Sequence, residues 1–456
     1  MQKTYLLDTN VLIQAPYALE SFEDNNIVLP LAVLEELDGL KNSDGDCGSN
    51  ARQAIRFLEK LRLSGNLLEG VSLPGGGFIR LEVNHSDVLL PLGMAPYSRD
   101  NRILKVCKGL CDQGESIILV TRDIVVRIKA QMMGIPAEDF TTDQVPAPAV
   151  QYTGRAEVYA PDGLLSSFMK KGVSAELLYQ VDDYGKPVPV EFIENQFVII
   201  KSDISEKKTL LGRYQKGKVT SLISSNISPF GVKSRNVGQQ FLQEALMLSA
   251  EQAPLVIVKG PAGTAKTFYA LAVGLEKTLE KDHKEYRKIL ICRPNAQFDQ
   301  DIGFLPGSEQ EKISPLLRPI VDNLEILLSH DSNESRRSED ELRSRIDYLF
   351  MTGTIIAEAM NFMRGRSITD TWLIIDEAQN LTPRQVKGII TRVGKGTKVI
   401  LLGDPAQIDH PHLDERTNGL SYAAERMKGS CLSVQLTMLS DECVRSDLAL
   451  DAAQRM

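Results

Sequence analysis

The sequence predicts an α/β protein in which two α/β domains with mostly parallel sheets flank a small β-rich module. Three observations lead there. Toward both ends of the 456-residue chain, short apolar runs of strand length alternate with helical stretches, the rhythm of strand–helix–strand units. In the C-terminal half, KILICRP, TWLIIDE and KVILLGD are short apolar runs that each stop at a polar or charged residue, as suits parallel strands buried on both faces. Between the two halves, residues 154–223 consist of short β-rich pieces separated by turns such as DDYGK.

In chain order, TYLLDTNVLI, NNIVLPLAVLEEL, FIRLEV and SIILVTRD supply strands or strand ends, and residues 51–62, 102–111 and 124–133 read as helices. They make a domain over residues 1–140. TTDQVPAPAVQYTG is polar and Pro-rich and reads as a linker, so residues 141–227 hold a linker and the β-rich module. The α/β rhythm returns for a third domain, residues 228–456. The charged stretch from Ser329 to Arg345 is expected as a solvent-facing loop and helix. No internal repeat is evident.

Composition narrows the class. Apolar content is 43% and each domain is large enough for a core of its own. Of six cysteines, only Cys107 and Cys111 are close, without the further Cys or His partners of a zinc site. Without a signal peptide or a disulfide framework, the expected location is the cytoplasm. No run reaches the roughly 18 apolar residues of a membrane span. The net charge of −8 argues against a surface coated for nucleic acid, while leaving room for a local basic groove.

The run VIVKGPAGTAKT, Val256–Thr267, reads as a buried strand entering a phosphate-cradling loop and then a helix. Such a loop needs small residues, because backbone N–H groups must close around phosphates. The nucleotide-binding stretch is Gly260, Pro261, Ala262, Gly263, Thr264, Ala265, Lys266, Thr267 and Phe268. Lys266 reaches the β and γ phosphates and Thr267 places its hydroxyl on Mg2+. Ala265 departs from the glycine usual before the lysine. Its Cβ costs little at negative φ and roughly 1–2 kcal/mol in a left-handed conformation. About a hundred residues on, WLIIDEAQN ends a strand in Asp376, a Mg2+ ligand through water, and Glu377, placed to orient or deprotonate the attacking water. VILLGD delivers Asp404 and then Gln407, a candidate γ-phosphate sensor, and Gln239 is a candidate reader of the adenine edge. Arg293, Arg318, Arg364, Arg366 and Arg445 are candidates for charge stabilisation, Arg445 first among them. These parts predict a P-loop NTPase with ATP and Mg2+ as cofactors.

A second acidic set lies at the other end of the chain. Asp8 ends the first strand, Glu36 sits at a helix end with Glu35 and Asp38 beside it, Asp100 starts a helix, and Asp123 ends the strand IILVTRD. In a parallel sheet such positions converge on one edge. Clustered carboxylates raise one another's pKa unless a cation joins them, and Mg2+ or Mn2+ prefers such oxygen ligands. Metals there would activate water against a phosphodiester.

The N-terminal part resembles a PIN domain, a metal-dependent ribonuclease fold, through LLDTNVLI, PLAVLEELDGLK, SRDNRIL and LVTRD. The resemblance implies Asp8, Glu36, Asp100 and Asp123 as metal ligands, with Asn10 and Thr121 assisting. The C-terminal part resembles the PhoH-like ATPases through KGPAGTAKT, ICRP, IGFLPGSEQEKISPLLRPI, FMRGRSITDTWLIIDEAQN, LLGDPAQID and CVRSDLAL. Together they resemble the fused PIN–PhoH proteins of bacteria. That implies an RNA helicase-like ATPase coupled to an endoribonuclease, acting on single-stranded RNA, and a homo-oligomer with a hexameric ring as its envisaged form. The alternatives are a nucleotide-switched RNA-binding ATPase without intrinsic cleavage or unwinding, and a small-molecule kinase, which DEAQ followed by GDPAQ fits less well.

Overall fold

A computed structural model describes the chain except residues 1, 17, 23, 44, 74–75, 141–143, 166–167, 183, 205–207, 281–283, 295–308, 331–338, 359–367, 411–412 and 445–456, and except the side chains of 20, 45–46, 309–317, 330 and 339. Contacts divide it into two compact units, one up to Asp143 and one beginning at Gln144.

The first unit is built on strands β1 (Thr4–Leu7), β2 (Asn26–Pro30), β3 (Val71–Ser72), β4 (Phe78–Glu82), β5 (Ile117–Val120) and β6 (Ala137–Glu138). Their order is β3-β4-β2-β1-β5-β6, all parallel except the β3–β4 pair. The helices are α1 (Thr9–Gln14), α2 (Leu31–Leu40), α3 (Gly45–Ser64), α4 (Arg99–Asp112) and α5 (Ile124–Met132). Leu6, Leu7, Ile27, Val28, Leu29 and Leu119 are at most 1% exposed and form the core with Val33, Leu37 and Leu104. Strand β1 is central in this sheet. Its C-terminal end, flanked by those of β2 and β5, presents Asp8 at the middle of one sheet edge, where open parallel sheets place their sites.

In the second unit a seven-stranded sheet precedes the nucleotide fold. Its strands are β7 (Arg155–Ala160), β8 (Val173–Ser174), β9 (Tyr179–Val181), β10 (Pro187–Pro189), β11 (Phe197–Ser202), β12 (Thr209–Gln215) and β13 (Lys218–Ser221), with short helices α6 (Asp162–Leu165) and α7 (Phe168–Lys171). Val158, Phe168, Val198 and Ile200 make its own small core. Phe197 and Ile199, on alternate positions of β11, belong instead to the core of the next layer, and Phe197 stacks on Phe241 at 4.7 Å. One face of the module is therefore continuous with the core of the nucleotide fold. The Pro-rich approach is tied down as well: Val145 N–H donates to the Arg416 carbonyl and Tyr152 N–H to Glu425.

The remaining strands are β14 (Leu255–Lys259), β15 (Lys288–Cys292), β16 (Ile355–Glu358), β17 (Thr371–Ile375), β18 (Lys398–Gly403) and β19 (Ser433–Thr437). They form an all-parallel sheet in the order β16-β15-β17-β18-β14-β19. Helices α8 (Val237–Met247), α9 (Lys266–Leu279), α10 (Glu309–His330), α11 (Glu339–Met351), α12 (Pro383–Ile390) and α13 (Gly419–Arg426) accompany it. Every residue of β14, β17 and β18 is buried, which is why these strands read as unbroken apolar runs. Trp372 is fully buried and donates to the Ala270 carbonyl of α9 at 3.0 Å, and a Cβ on Gly274 would lie 2.7 Å from its indole nitrogen. That close approach seats α9 on the sheet and sets the height of the loop before it. No helix among the described residues is long and apolar enough to cross a membrane.

Candidate functional site

The loop between β14 and α9 is shaped by positive-φ residues. Gly260 has φ +151, and a Cβ there would meet Met438 at 2.6 Å, so only glycine lets the strand end pass. Gly263 and Ala265 have φ of 88 and 66. Ala265 thus adopts the left-handed conformation in which a Cβ is costly, about 1–2 kcal/mol. Its methyl packs against the unit's main core, and burying one methyl returns roughly 0.8 kcal/mol. A glycine would bring its own conformational cost of about 0.5–1 kcal/mol. The terms nearly cancel, so Ala265→Gly is expected to change the urea-unfolding free energy of this unit by less than about 1 kcal/mol. A change above about 2 kcal/mol would mean the loop is held differently.

The 14-residue α9 opens at Lys266, so its positive end faces the loop. Lys266 is 9% exposed, and its ammonium donates to the Gly260 carbonyl at 2.6 Å and the Pro261 carbonyl at 2.9 Å. Burial lowers its pKa, while Asp404, Asp376 and Glu377 act the other way. Thr267 Oγ1 donates to Asp376 Oδ1 at 2.9 Å, joining loop and strand end. Asp376 is raised, first by burial and then by the charge of Glu377, with the Thr267 bond, Arg293 and Lys266 opposing. A Mg2+–triphosphate suits this donor set: a hydroxyl and a buried carboxylate already in contact, beside a buried cation and a helix N-terminus.

Glu377 follows Asp376 with φ 57, also left-handed, a strain typical of residues held for function. Both its oxygens are engaged. Arg293 Nη2 donates to Oε1 at 2.9 Å and Gln379 Nε2 to Oε2 at 2.6 Å. Gln379 is fully buried and also reaches the Gln407 carbonyl at 2.8 Å, while its Oε1 accepts from Asp404 N–H at 3.1 Å. Sequence reading passed over Gln379, although it stands two residues after Glu377. Asp404 is buried, while the Gln407 side chain is exposed beyond it. Gln239 is 2% exposed, and its Oε1 accepts from Arg235 N–H and Tyr269 Oη. Ala262 and Gly263 are held from β19 onward: Cys443 Sγ lies 3.6 Å from the Ala262 carbonyl and Val444 N–H donates to the Gly263 carbonyl at 2.9 Å. Thr264 Oγ1 donates to the Pro261 carbonyl, and Phe268 packs at the core's edge. Of the arginine candidates, Arg293 touches Glu377 and Arg318 is exposed on α10, whereas Arg364, Arg366 and Arg445 lie outside the described residues.

In the first unit Asp8 is 5% exposed and accepts from Thr121 Oγ1 at 2.6 Å and Asn10 Nδ2 at 2.7 Å. Its pKa is raised to about 6, chiefly by burial, with Asp100 and Glu36 adding repulsion. Of the acidic trio on α2, Glu36 faces this site, accepting from Thr9 Oγ1 at 2.6 Å. Glu35 pairs with Arg102 and Asp38 with Lys41. Cations also stand by the neighbours of Asp8: Arg99 lies 3.4 Å from Glu36 and Lys129 3.5 Å from Asp100. Asp123 caps α5, accepting from Val125 and Val126 N–H. Among the described residues no group of three or more His, Cys, Asp or Glu lies close enough to hold a metal ion. The four expected ligands therefore do not form a metal cage as they stand: Glu36 and Asp100 each have a cation within 3.5 Å, and Asp123 is used as a helix cap.

An all-parallel sheet with a phosphate loop at the end of β14 and a Thr–Asp contact to β17 defines a P-loop nucleotide-binding fold, here on one chain with a second α/β domain. Residues 231–456 match the family of PhoH-like proteins and residues 5–141 the PIN domain. A protein named PhoH2 from Bacillus subtilis (strain 168) is 41% identical over 463 residues, covering 99% of both chains. PhoH2 of Mycolicibacterium smegmatis is 30% identical over 466 residues, covering 98% of this chain and 95% of its own. The chain belongs to the PhoH2 family, in which a PIN domain and a PhoH-like domain are fused.

Proposed function

We propose that the protein is an ATP-hydrolysing, nucleotide-switched RNA-binding protein. The observation that carries this reading is the direct contact of Thr267 with Asp376, which brings phosphate loop and strand-end acids into one site. Lys266 exchanges its loop carbonyls for β- and γ-phosphate oxygens. Thr267 and Asp376 would hold Mg2+, which would offset phosphate charge when bound. Glu377 orients the attacking water once Arg293 or Gln379 yields an oxygen, and Gln379 relays the state of Glu377 to the loop carrying Gln407. RNA as the partner follows from the PIN resemblance of the first unit, a homo-oligomer, with a hexameric ring as its envisaged form, from the PhoH resemblance, and a reducing cytoplasm from the six scattered cysteines. In such an assembly Arg445 is the candidate arginine for a neighbouring site.

A second reading, a helicase-like motor coupled to metal-dependent RNA cleavage, is favoured by one feature, the buried Asp8 under repulsion from Asp100 and Glu36. No step through a metal is assigned to these carboxylates in their present arrangement. One experiment separates the readings. The protein is incubated with labelled single-stranded RNA and Mg2+ or Mn2+, with and without ATP, and RNA length, RNA retention and phosphate release are followed together. Phosphate release with ATP-dependent retention of intact RNA is the expected result. Shortening of the RNA that Asp8→Asn removes selects the second reading, and no phosphate release under any condition rejects both.

A further inference from the structure

The β-module reaches the nucleotide loop through one buried ion pair. Arg155, the first residue of β7, places Nη1 2.9 Å from Glu442 Oε1 and 3.0 Å from Oε2, the side chains being 11% and 7% exposed. Its guanidinium also lies over the Phe241 ring of α8 at 5.6 Å. Glu442 belongs to a short turn, Ser440–Glu442, just after β19. Its Oε2 accepts from Leu439 N–H at 2.9 Å and its carbonyl from Asn236 Nδ2 at 2.9 Å. Asn236 caps α8 by accepting from Gln239 N–H. A Cβ on Gly238 would sit 2.2 Å from Glu442 Oε2, so α8 leaves this space for the carboxylate. The next two residues, Cys443 and Val444, are the ones that hold Ala262 and Gly263. Glu442 thus lies between the module, the helix start carrying Gln239, and the rim of the phosphate loop.

The module is anchored for such a role. Thr437 N–H donates to the Thr153 carbonyl at 2.7 Å, Asn195 Nδ2 to the Ser433 carbonyl at 3.2 Å, and Lys259 Nζ to Gln151 Oε1 at 3.0 Å. Gly154 lies so close to β19 that a Cβ would come within 2.0 Å of the Gln435 carbonyl. A buried ion pair adds little net stability over a well-packed apolar pair, but removing one partner leaves the other charge uncompensated and free to drag its surroundings. Here those surroundings are the 440–444 turn and its hold on the loop.

We infer that Arg155 is a positioning residue for the nucleotide site: through Glu442 it fixes the turn that grips Ala262 and Gly263, and so links the β-module to ATP affinity. The inference rests on the ATP-binding reading proposed above. Its test uses the full-length protein, with equilibrium binding of a non-hydrolysable ATP analogue plus Mg2+, steady-state ATP turnover and thermal unfolding measured on the same preparations. In Arg155→Ala, analogue affinity is expected to fall and KM for ATP to rise about tenfold, as a misplaced phosphate cradle would produce, with kcat per binding-competent site nearly kept. Because a single nitrogen contacts both Glu442 oxygens, Arg155→Lys should restore most of the affinity. Glu442→Gln should weaken binding, and the double variant Arg155→Ala/Glu442→Gln should bind no worse than Arg155→Ala alone. A lowered unfolding temperature with wild-type affinity and KM would reduce the pair to a structural tie and overturn the inference, as would additive losses in the double variant. Wild-type protein that binds no analogue would overturn the ATP reading itself, which is a distinguishable result.

Discussion

Glu377→Gln will bind ATP about as well as the wild type and hydrolyse it at least about 100-fold more slowly, the usual cost of losing a residue that orients or deprotonates water. Glutamine keeps the size of the side chain and can still accept from Gln379, so the local fold should survive. What it loses is the negative charge that Arg293 holds 2.9 Å away and that the water must meet. Lys266→Ala should behave differently. Lys266 is the buried cation of the loop, and its removal takes away both phosphate binding and stabilisation of developing charge. Binding and turnover should then fall together. Phosphate release at saturating ATP–Mg2+, read beside equilibrium ATP binding, separates the two variants. A Glu377→Gln protein retaining more than about a tenth of wild-type turnover would remove Glu377 from the chemistry.

The contrast between these variants and Arg155 shows what the sequence could and could not disclose. Asp376 and Glu377 follow directly on β17, and Lys266 and Thr267 open the helix that the loop after β14 leads into; strands buried on both faces, like these two, leave an apolar run with an abrupt polar stop. Trp372–Ile375 are all buried and Asp376 follows at once, so the motif and its place in the sheet were readable together. The hand of Ala265 was not readable, because composition does not report φ; its left-handed conformation follows from the path between β14 and α9. The choice of Glu36 over Glu35 and Asp38 depends on how α2 packs against its neighbours, where Arg102 of α4 takes Glu35. Three acids within four residues cannot announce which one faces inward. The Arg155–Glu442 pair spans 287 positions, and neither residue lies in a motif. Only the packing of the module on β19 brings them together. Among the N-terminal acids, Asp8 feels the charges of Glu36 and Asp100, as expected of positions along one sheet edge. No pattern in the sequence announces that Arg99 and Lys129 stand within ion-pair distance of those two neighbours.

That crowding of acids has a cost that pH should expose. Asp8 is raised from 3.8 to about 6, so between these values the folded unit holds a proton that the unfolded chain releases. Stability contributed by this proton is fully present below about pH 4 and is lost as pH rises through about 6, because above the folded pKa a buried carboxylate must be carried as an anion facing Glu36 and Asp100. The shift corresponds to roughly 3 kcal/mol, an upper bound for one group. Asp8→Asn removes the charge while its carbonyl oxygen can still accept from Thr121 Oγ1 and Asn10 Nδ2. The variant should therefore be more stable than the wild type at pH 7.5, by about 2–3 kcal/mol at most, and the advantage should shrink to nothing near pH 4. Amide hydrogen exchange of β1 and β5, which report the first unit alone, measures the difference without interference from the second. An Asp8→Asn unit that is equally stable at both pH values would mean that Asp8 is already ionised at no expense, its two hydrogen-bond donors sufficing to offset burial.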